Sequence, residues 1–278
     1  MRVQTSMTVQ KSLIGLVLGL LLSPALLAAP SAEYWRYWDT SSEGNYRTID
    51  HSAWSSILSR YVVTQHTSGI NRFRYGDVSK DDRKRLQSYI DAMAAVDPRT
   101  YRKLEQKAYW MNFYNALVVN LVVQHYPIKS VQDIKGKGFS KGPWDTPLVT
   151  VAQQELSLND IEHRILRPIW KDHKIHFGLA CASLGCPSLQ AQAFTAQNHA
   201  KLLKKTGQEF VNHDRGVSLS KGKLEASSIF DWYQKDFAKS EKSLLKVFAH
   251  YSDDRQALYL LGFSGDIKFR HDWALNGP

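Results

Sequence analysis

Apolar residues recur at helical spacing over much of this chain, and the pattern predicts a mainly helical fold. Residues 54–62 carry apolar side chains three and four positions apart, as in a helix with one buried face. Ser79 and Asp82 form a capping-box pattern ahead of a second helix, and Ser157 and Asp160 form another ahead of a later helix. The longest apolar segment, 101–126, is apolar nearly all round and stops at Pro127. We therefore predict that it forms the buried central helix.

Short strands are indicated between the remaining helices. Lys221 and Gly222 lie between two short apolar runs and predict a hairpin. A few short strands beside many helices are typical of an α+β fold. We predict a single α+β domain, mainly helical around the central helix, with a small, largely antiparallel sheet. The predicted strands are 148–151, 174–180, 217–219, 224–226 and 267–269, and the further predicted helices include 158–168, 195–211 and 229–237.

The N-terminus has the layout of a secretory signal peptide. Arg2 and Lys11 are the only charges before Glu33, an apolar run covers 13–22, and small residues follow it. The run is shorter than the roughly 20 residues that span a bilayer, which favours cleavage over a retained anchor. We predict a signal peptide at 1–29 and a periplasmic or secreted protein that has no transmembrane segment once the signal peptide is removed.

The chain after the signal peptide divides into an arm and a domain. Residues 30–48 are aromatic and polar without a period, which predicts an irregular N-terminal arm. Residues 49–278 contain no linker-like stretch and no internal repeat, so we predict one domain. A chain of 278 residues that is 43 % apolar and 22 % charged can bury a core without a disulfide or metal.

The formal charge of +10 permits an anionic partner but does not identify one. The chain has no recognisable DNA- or RNA-binding motif and no aromatic–basic ribbon, so we expect no nucleic acid partner. The simplest interpretation of the many lysines is a solvated surface. The partners that remain are a small molecule, a peptide or an anionic envelope ligand, and the sequence does not choose among them.

A short segment in the middle of the chain carries the most reactive side chains. If 174–180 is a strand, His176 lies on one face beside two small residues, and Cys181 continues the core face. Gly185 permits a tight turn before Cys186, and the proline that follows suits the start of a helix, whose dipole favours a thiolate. A thiolate near a histidine is the basic unit of cysteine catalysis. Cys186 is thus the candidate nucleophile and His176 the candidate base.

The two cysteines also have interpretations that involve no catalysis. In an exported protein Cys181 and Cys186 can form a disulfide, which leaves neither sulfur nucleophilic, and they can equally be unpaired structural thiols. The sequence leaves all three states open. The neighbouring histidines also suggest zinc, but no spacing matches a standard zinc motif. We therefore predict no metal and no cofactor.

Four further polar residues are candidates for the site. Glu162 lies near the start of a capped helix and is the candidate orienting acid of a Cys–His–acid set, with His163 beside it as a candidate binding residue. Asn112 and Asn115 interrupt the apolar central helix, and a buried amide is costly unless it is hydrogen-bonded. We predict that both are buried and bonded outside their own helix, and we count them with Cys181 as candidate binding residues.

Five short motifs occur in order along the chain. They are YWMNFYNA at 109–116, SLNDIEHRILR at 157–167, IHFGLAC at 175–181, GCP at 185–187 and IFDWYQKDF at 229–237. Together they resemble the family catalogued as domain of unknown function 547. The resemblance covers about 79–237 and extends to the tail at 272–276; it implies a shared domain and no established reaction. Gly185 stands where the family leads us to expect a small polar residue such as serine.

Two functions from different classes follow from these residues, so the sequence does not decide whether the protein is an enzyme. The first is a thiol-dependent hydrolase or acyl transferase that uses Cys186, His176 and Glu162. The second is a non-catalytic envelope binding or structural protein with a Cys181–Cys186 disulfide. A Cys186–His176 pair under a cleft favours the first function, and a disulfide buried under side chains favours the second.

Overall fold

The computed structural model describes residues 30–136 and 142–278, so the predicted signal peptide at 1–29 lies outside the described residues. The described chain is mainly helical, with short strands between the helices. The helices are α1 (Ser52–Tyr61), α2 (Lys80–Ala94), α3 (Lys103–His125), α4 (Arg167–Trp170), α5 (His199–Val211), α6 (Ser228–Trp232), α7 (Gln234–Phe237), α8 (Glu241–Tyr251) and α9 (Asp254–Gly262), and the strands are β1 (Val62–Val63), β2 (Arg72–Phe73), β3 (Val149–Val151), β4 (Gln154–Leu156), β5 (Val217–Ser220), β6 (Lys223–Ser227) and β7 (Ile267–Arg270).

The helix α3 is the buried centre of the fold, as its sequence predicted. Residues 110–113 are consecutive and so point to all sides of this helix, and each of them is 0 % exposed. Apolar residues all round a helix are stable only where protein covers every side. The mainly helical α+β fold around a central helix is therefore confirmed. None of the helices within the described ranges combines the length and hydropathy needed to cross a bilayer.

The two capping patterns seen in the sequence differ in the structure. Ser157 Oγ accepts from the N–H of Asp160 at 3.1 Å, while the Asp160 carboxylate accepts from the N–H of Ser157 at 2.9 Å. This pair is a reciprocal capping box. Ser79 Oγ likewise accepts from the N–H of Asp82 at 3.1 Å. The Asp82 carboxylate instead accepts from the guanidinium of Arg60 at 2.6 Å, so only half of the capping box at Ser79 is formed.

Among the described residues the strands form three small sheets. The pairs β1–β2 and β3–β4 are antiparallel two-stranded ribbons. In the third sheet β5 and β6 form an antiparallel hairpin, and β7 joins β6 in parallel. The hairpin turns at Lys221 and Gly222, which both have positive φ angles. The predicted small, largely antiparallel sheet is confirmed, although it is divided among three places.

The prediction of a strand over 174–180 is wrong. The chain there forms a 3₁₀ helix, His173–Phe177, which begins at Asp172, whose carboxylate accepts from the backbone N–H of Lys174 at 3.1 Å. The backbone that follows bonds to the side chain of Asn115 rather than to a neighbouring strand. The alternation of faces that we inferred for this segment therefore does not apply.

Several helices have boundaries other than those predicted. The helix expected from 195–211 begins four residues later as α5, and the one expected at 229–237 divides into α6 and α7. The helix expected at 158–168 contains a π-helical segment, Asp160–Leu166, and continues as α4. Residues 187–198 are described and contain no helix, so the helix predicted to begin after Cys186 is wrong.

The N-terminal arm is irregular apart from one 3₁₀ turn, Arg36–Trp38. Trp38 is buried, and its ring meets Trp110 of α3 edge-on with centroids 5.1 Å apart. Nearer the N-terminus, the backbone N–H of Glu33 donates to the carbonyl of His163 at 2.9 Å. The arm therefore packs on the central helix and on the π-helical segment. The boundary between arm and domain at residue 48 stays a prediction.

Candidate functional site

A cavity of about 470 Å³ lies beside the 3₁₀ helix at the middle of the chain. Ile175 belongs to one cluster of buried apolar side chains and Phe177 to a second, so the two clusters meet at this helix. The volume is typical of small-molecule sites, which span roughly 300–1,000 Å³. Five of the residues selected from the sequence line the cavity together, namely Glu162, His163, His176, Cys181 and Cys186.

The π-helical segment brings Glu162 and His163 to the cavity. The backbone N–H of Arg167 donates to the carbonyl of Glu162, five residues earlier, where an α-helix would use the fourth. Glu162 and His163 both line the cavity although they are adjacent in the chain. Turns of this kind occur frequently at functional sites. The sequence pattern predicted an ordinary amphipathic helix here and did not reveal the wider turn.

His176 is the centre of a buried charged network. Its Nε2 lies 2.8 Å from Oδ2 of Asp236, and because a carboxylate only accepts, this nitrogen carries a proton. Its Nδ1 lies 3.7 Å from Oε1 of Glu162. Arg167 Nε donates to the same Asp236 oxygen at 2.6 Å. The imidazole also stacks on Tyr233, with ring centroids 4.4 Å apart and an interplanar angle of 10°.

The carboxylates and the imidazole stabilise each other's charged forms. Burial acts to lower the pKa of His176, but the hydrogen bond to Asp236 and the charge of Glu162 outweigh burial and raise that pKa. Burial acts to raise the pKa of Glu162, but His163, His176 and the Tyr114 hydroxyl, which donates at 2.9 Å, hold it at about 2. Because both ring nitrogens of His176 face carboxylates, neither is placed to take a proton from a thiol.

His163 differs from His176 in its protonation. The guanidinium of Arg167 donates to Nδ1 of His163 at 3.0 Å, so Nδ1 is the acceptor and the ring proton lies on Nε2. Burial lowers the pKa of His163 despite the nearby charge of Glu162. Two histidines on one cavity wall are thus held differently, one favoured as a cation and the other as a neutral ring.

Cys181 and Cys186 form a disulfide on the cavity wall. Cys186 is 5 % exposed, and Cys181 is half-buried. A disulfide sulfur does not ionise, and no helix follows Cys186 to stabilise a thiolate. The predicted helix-stabilised thiolate is therefore wrong for this structure. Of the three cysteine states that the sequence left open, the disulfide is the one that the structure contains.

His271 lies close to this disulfide, within 4.8 Å of both sulfurs. Its Nε2 is 2.9 Å from Ser183 Oγ, which in turn lies 3.0 Å from Cys181 Sγ. Burial lowers the pKa of His271 to about 4, and the charge of Asp272 offsets only part of this effect. A neutral imidazole thus lies beside the disulfide. Sequence reasoning missed it because His271 is in the C-terminal tail, far along the chain.

Close packing around position 185 explains why this residue is glycine. A Cβ atom added at Gly185 would lie 2.7 Å from the backbone nitrogen of Asp272 and 2.8 Å from the ring of His271. Real Cβ atoms do not approach neighbours this closely, so any side chain here would push the C-terminal tail away. In this chain the close packing of the tail accounts for glycine where the family pattern leads us to expect a small polar residue.

Asn112 and Asn115 hold backbone rather than line the cavity. Asn112 donates to the carbonyl of Phe194 at 2.8 Å and accepts from the N–H of the same residue at 2.9 Å. Asn115 donates to the carbonyl of Gly178 and accepts from the N–H of Ala180, both at 2.8 Å. Their predicted burial and bonding outside α3 are confirmed. A direct role in binding stays a prediction, since their side chains act on the segments that surround the site.

Aromatic side chains form much of the cavity wall. Trp232 and Trp273 stack with ring centroids 5.5 Å apart and an interplanar angle of 28°. Trp144, Tyr114 and Tyr233 complete the aromatic part of the wall. Such rings offer flat apolar faces to a ligand, while Glu162 and the histidines supply polar contacts.

Asp236 and Arg167 were missed as site residues by sequence reasoning. Both lie inside motifs that carry the family resemblance, Asp236 near the end of IFDWYQKDF and Arg167 at the end of SLNDIEHRILR. An acid and an arginine in such motifs could have been paired by charge alone. Nothing in the linear sequence shows that His176 joins the same acid.

Comparison with known proteins identifies the family of the central part of the chain. The model of the family described as "Protein of unknown function, DUF547" matches residues 98–211. The chain thus carries a DUF547 segment, which confirms the resemblance inferred from the motifs. The match includes α3, the π-helical segment, the 3₁₀ helix and both cysteines, whereas Asp236 and His271 lie beyond it. Searches among curated proteins and solved structures gave no match.

Proposed function

We propose that the protein is a non-catalytic binding protein of the cell envelope, whose cavity holds a small organic ligand. The observation that carries this proposal is the Cys181–Cys186 disulfide on the wall of an aromatic cavity. With both sulfurs bonded, neither is a nucleophile. With both nitrogens of His176 facing carboxylates, this histidine is not free to act as their general base. The other side chains of the cavity wall are suited to binding a ligand.

The cavity favours a ligand with a flat apolar face and a hydrogen-bond donor. The stacked pair of Trp232 and Trp273 supplies the apolar surface. Glu162 supplies an ionised carboxylate at the wall, because its pKa is held at about 2. A carboxylate only accepts hydrogen bonds, so a hydroxyl or ammonium group on the ligand matches it. A saccharide ring and an aromatic amine both have this combination.

Export is part of the proposal. It rests on the basic start, the short apolar run and the small residues of 1–29. A mature chain that starts between 29 and 33 and is found in the periplasm or outside the cell is expected. Intact-mass measurement of fractionated protein tests this expectation, and a full-length species confined to the cytosol would contradict it.

Ligand binding is tested with two named sets of probes. Cellobiose and chitobiose represent saccharides, and tryptamine represents aromatic amines. We expect one set to quench tryptophan fluorescence and raise the melting temperature of the unreduced protein, because the ligand binds only the folded state. Trp232→Ala and Glu162→Gln should weaken that binding at least tenfold, since each removes one of the two contacts that define the ligand.

Tyr259→Ala is the matched control, because Tyr259 is 48 % exposed and does not line the cavity. It should bind like the wild type. Binding of a probe that is equal in Trp232→Ala and the wild type places the ligand elsewhere and contradicts the proposal. Absence of binding by both sets of probes also contradicts this ligand chemistry.

A thiol-dependent hydrolase or acyl transferase is the second candidate. The observation that favours it is that Cys186, His176 and Glu162 line one cavity. In that mechanism Cys186 is the nucleophile, His176 the base and Glu162 the orienting acid. The mechanism requires reduction of the disulfide and release of His176 from at least one carboxylate. Hydrolysis of thioester or ester probes that appears only after reduction and is lost in Cys186→Ser would support it.

A further inference from the structure

The two cysteines and His271 form a compact cluster of soft ligand atoms. Their two sulfur atoms and one imidazole nitrogen all lie within 4.8 Å of one another. None of its three residues belongs to the charged network around His176, and none is one of the two contacts that define the proposed ligand, although the ring of His271 packs against Trp232 and Trp273. Cysteine sulfur and histidine nitrogen are the ligands that zinc takes most often in proteins.

Backbone hydrogen bonds hold the two halves of this cluster together. The N–H of Leu184 donates to the carbonyl of Ala274, and the N–H of Gly185 donates to the carbonyl of Asp272, both at 2.8 Å. These bonds fasten the loop between the two cysteines to the part of the tail that directly follows His271. They do not depend on the sulfur–sulfur bond, so the three side chains have a scaffold that can keep them close after the disulfide opens.

One ring nitrogen of His271 has a hydrogen-bond partner and the other has none within the part of the chain that the structure describes. Its Nε2 is engaged by Ser183 Oγ at 2.9 Å. Its Nδ1 is buried and has no hydrogen-bond partner among the described residues. Metal-binding histidines typically donate one ring N–H to a protein group and offer the other nitrogen to the metal. A buried ring nitrogen without a partner is costly, and a metal ion would satisfy it.

The distances suit zinc after a small rearrangement. With Zn–S near 2.3 Å and Zn–N near 2.0 Å, the ligand atoms of a tetrahedral site are about 3.5–3.8 Å apart. The cluster therefore needs only a modest contraction between His271 and the sulfurs and a separation of the sulfurs themselves. Both cysteines line the cavity, so the metal would lie at its wall.

We propose that Cys181, Cys186 and His271 form a redox-gated zinc site, closed by the disulfide and opened by reduction. An external dithiol transfers two electrons and two protons to the disulfide, which becomes two thiols while the dithiol becomes a disulfide. Zn²⁺ then binds both sulfurs and His271, and the two thiol protons are released to solvent. The metal and the disulfide exclude each other because a bonded sulfur pair offers no thiolates.

Cobalt titration of the full mature chain tests this proposal. The protein is reduced with a phosphine, freed of reductant without oxygen, and titrated with Co²⁺ and then Zn²⁺. We expect one equivalent of Co²⁺ to produce thiolate charge-transfer and tetrahedral absorption bands that Zn²⁺ abolishes. The unreduced protein should produce no such bands. His271→Ala and Cys181→Ser should each weaken binding at least tenfold, since each removes a ligand.

His250→Ala is the matched control, because His250 is exposed on α8 and lies outside the cluster. It should bind Co²⁺ like the wild type. The proposal is overturned if the reduced wild type produces no bands, or if His271→Ala binds as tightly as the wild type. It is also overturned if the reduced protein is unfolded by circular dichroism with the metal present. Cys181→Ser keeps the test decisive if His271→Ala fails to fold.

Discussion

The imidazole of His176 lies between two carboxylates that reach it from separate elements. Glu162 comes from the π-helical segment, and Asp236 comes from α7, sixty positions after the histidine. Arg167 binds Asp236 from a third direction. The two negative carboxylates balance the positive charges of the guanidinium and the imidazolium. The network therefore forms a fixed and nearly neutral part of the cavity wall. A general base, by contrast, needs a nitrogen with a free lone pair.

Asp236→Asn should lower the pKa of His176, because the hydrogen bond and charge of Asp236 favour the imidazolium. The measurement is a histidine NMR titration of the folded protein. Asp231→Asn is the matched control, since Asp231 is exposed on the neighbouring helix α6. An unchanged pKa of His176 in Asp236→Asn would show that the network is not formed in solution.

His176 should also make stability depend on pH. Its pKa is raised in the folded protein, so its contribution is fully present below the unfolded value of about 6.5 and is lost as pH rises through the folded value. The loss of stability in His176→Gln should therefore be larger at about pH 5.5 than at about pH 9. Urea denaturation at both pH values measures it, with His250→Gln as the exposed control. The opposite trend would mean that burial dominates and that His176 is neutral.

The identity of the site residues could be predicted in part from the sequence, and their partners could not. Glu162, His176 and the two cysteines were selected because a cysteine, a histidine and an acid are the residue types of cysteine catalysis, and all of them line the cavity. Asp236 meets His176 only through tertiary packing. The charge and spacing of residues along the sequence do not show that Asp236 contacts His176.

Asn115 connects the central helix to the segment that carries the site. Its side-chain amide donates to the carbonyl of Gly178 and accepts from the N–H of Ala180. These are the backbone groups that a neighbouring strand would otherwise bind. The segment is therefore held without a sheet. The same device recurs one turn earlier in α3, where Asn112 pairs with both backbone groups of Phe194.

Asn115→Ala should destabilise the protein by about 2–4 kcal/mol, because it leaves a buried carbonyl and a buried N–H without partners. Denaturant unfolding measures the change. Asn120→Ala on the same helix is the matched control and should change stability by about 0.5 kcal/mol or less, since Asn120 is only partly buried. Equal effects of the two substitutions would contradict the role assigned to Asn115.

The elements differ in how well their local sequence predicts them. The helix α3 and the β5–β6 hairpin were predicted because an all-round apolar run and a turn between two short strands are local signals. The segment 174–180 was assigned to a strand because alternation is the simplest period for so short an apolar run. Its real conformation depends on Asp172 and on Asn115, and the second partner is distant in sequence.

The whole molecule brings four distant segments together at one cavity. The N-terminal arm contributes Pro30, the π-helical segment contributes Glu162, the cysteine loop contributes the disulfide, and the C-terminal tail contributes Trp273. The Ser183–Leu275 bridge pairs the loop with the tail. A site assembled in this way depends on the complete fold, which is why the family segment at 98–211 contains only part of it.

Removal of the disulfide should destabilise the whole molecule by about 2 kcal/mol, since the cross-link closes only a short loop. The Cys181→Ala/Cys186→Ala double variant, compared with the unreduced wild type by urea unfolding, measures this change. A fold that is otherwise retained is expected, because the core is built from apolar clusters that do not need the bond. Complete unfolding of the double variant would contradict that view of the core.

The proposed binding function requires the two cysteines of the cavity wall to be bonded to each other. Intact-mass analysis of the unreduced protein after treatment with iodoacetamide under native conditions measures this bond directly. We predict no alkylation of Cys181 or Cys186 without reductant, even after denaturation, and alkylation of both once a reductant is added. Rapid alkylation of Cys186 in the native, unreduced protein would contradict the account and favour a thiol-dependent enzyme.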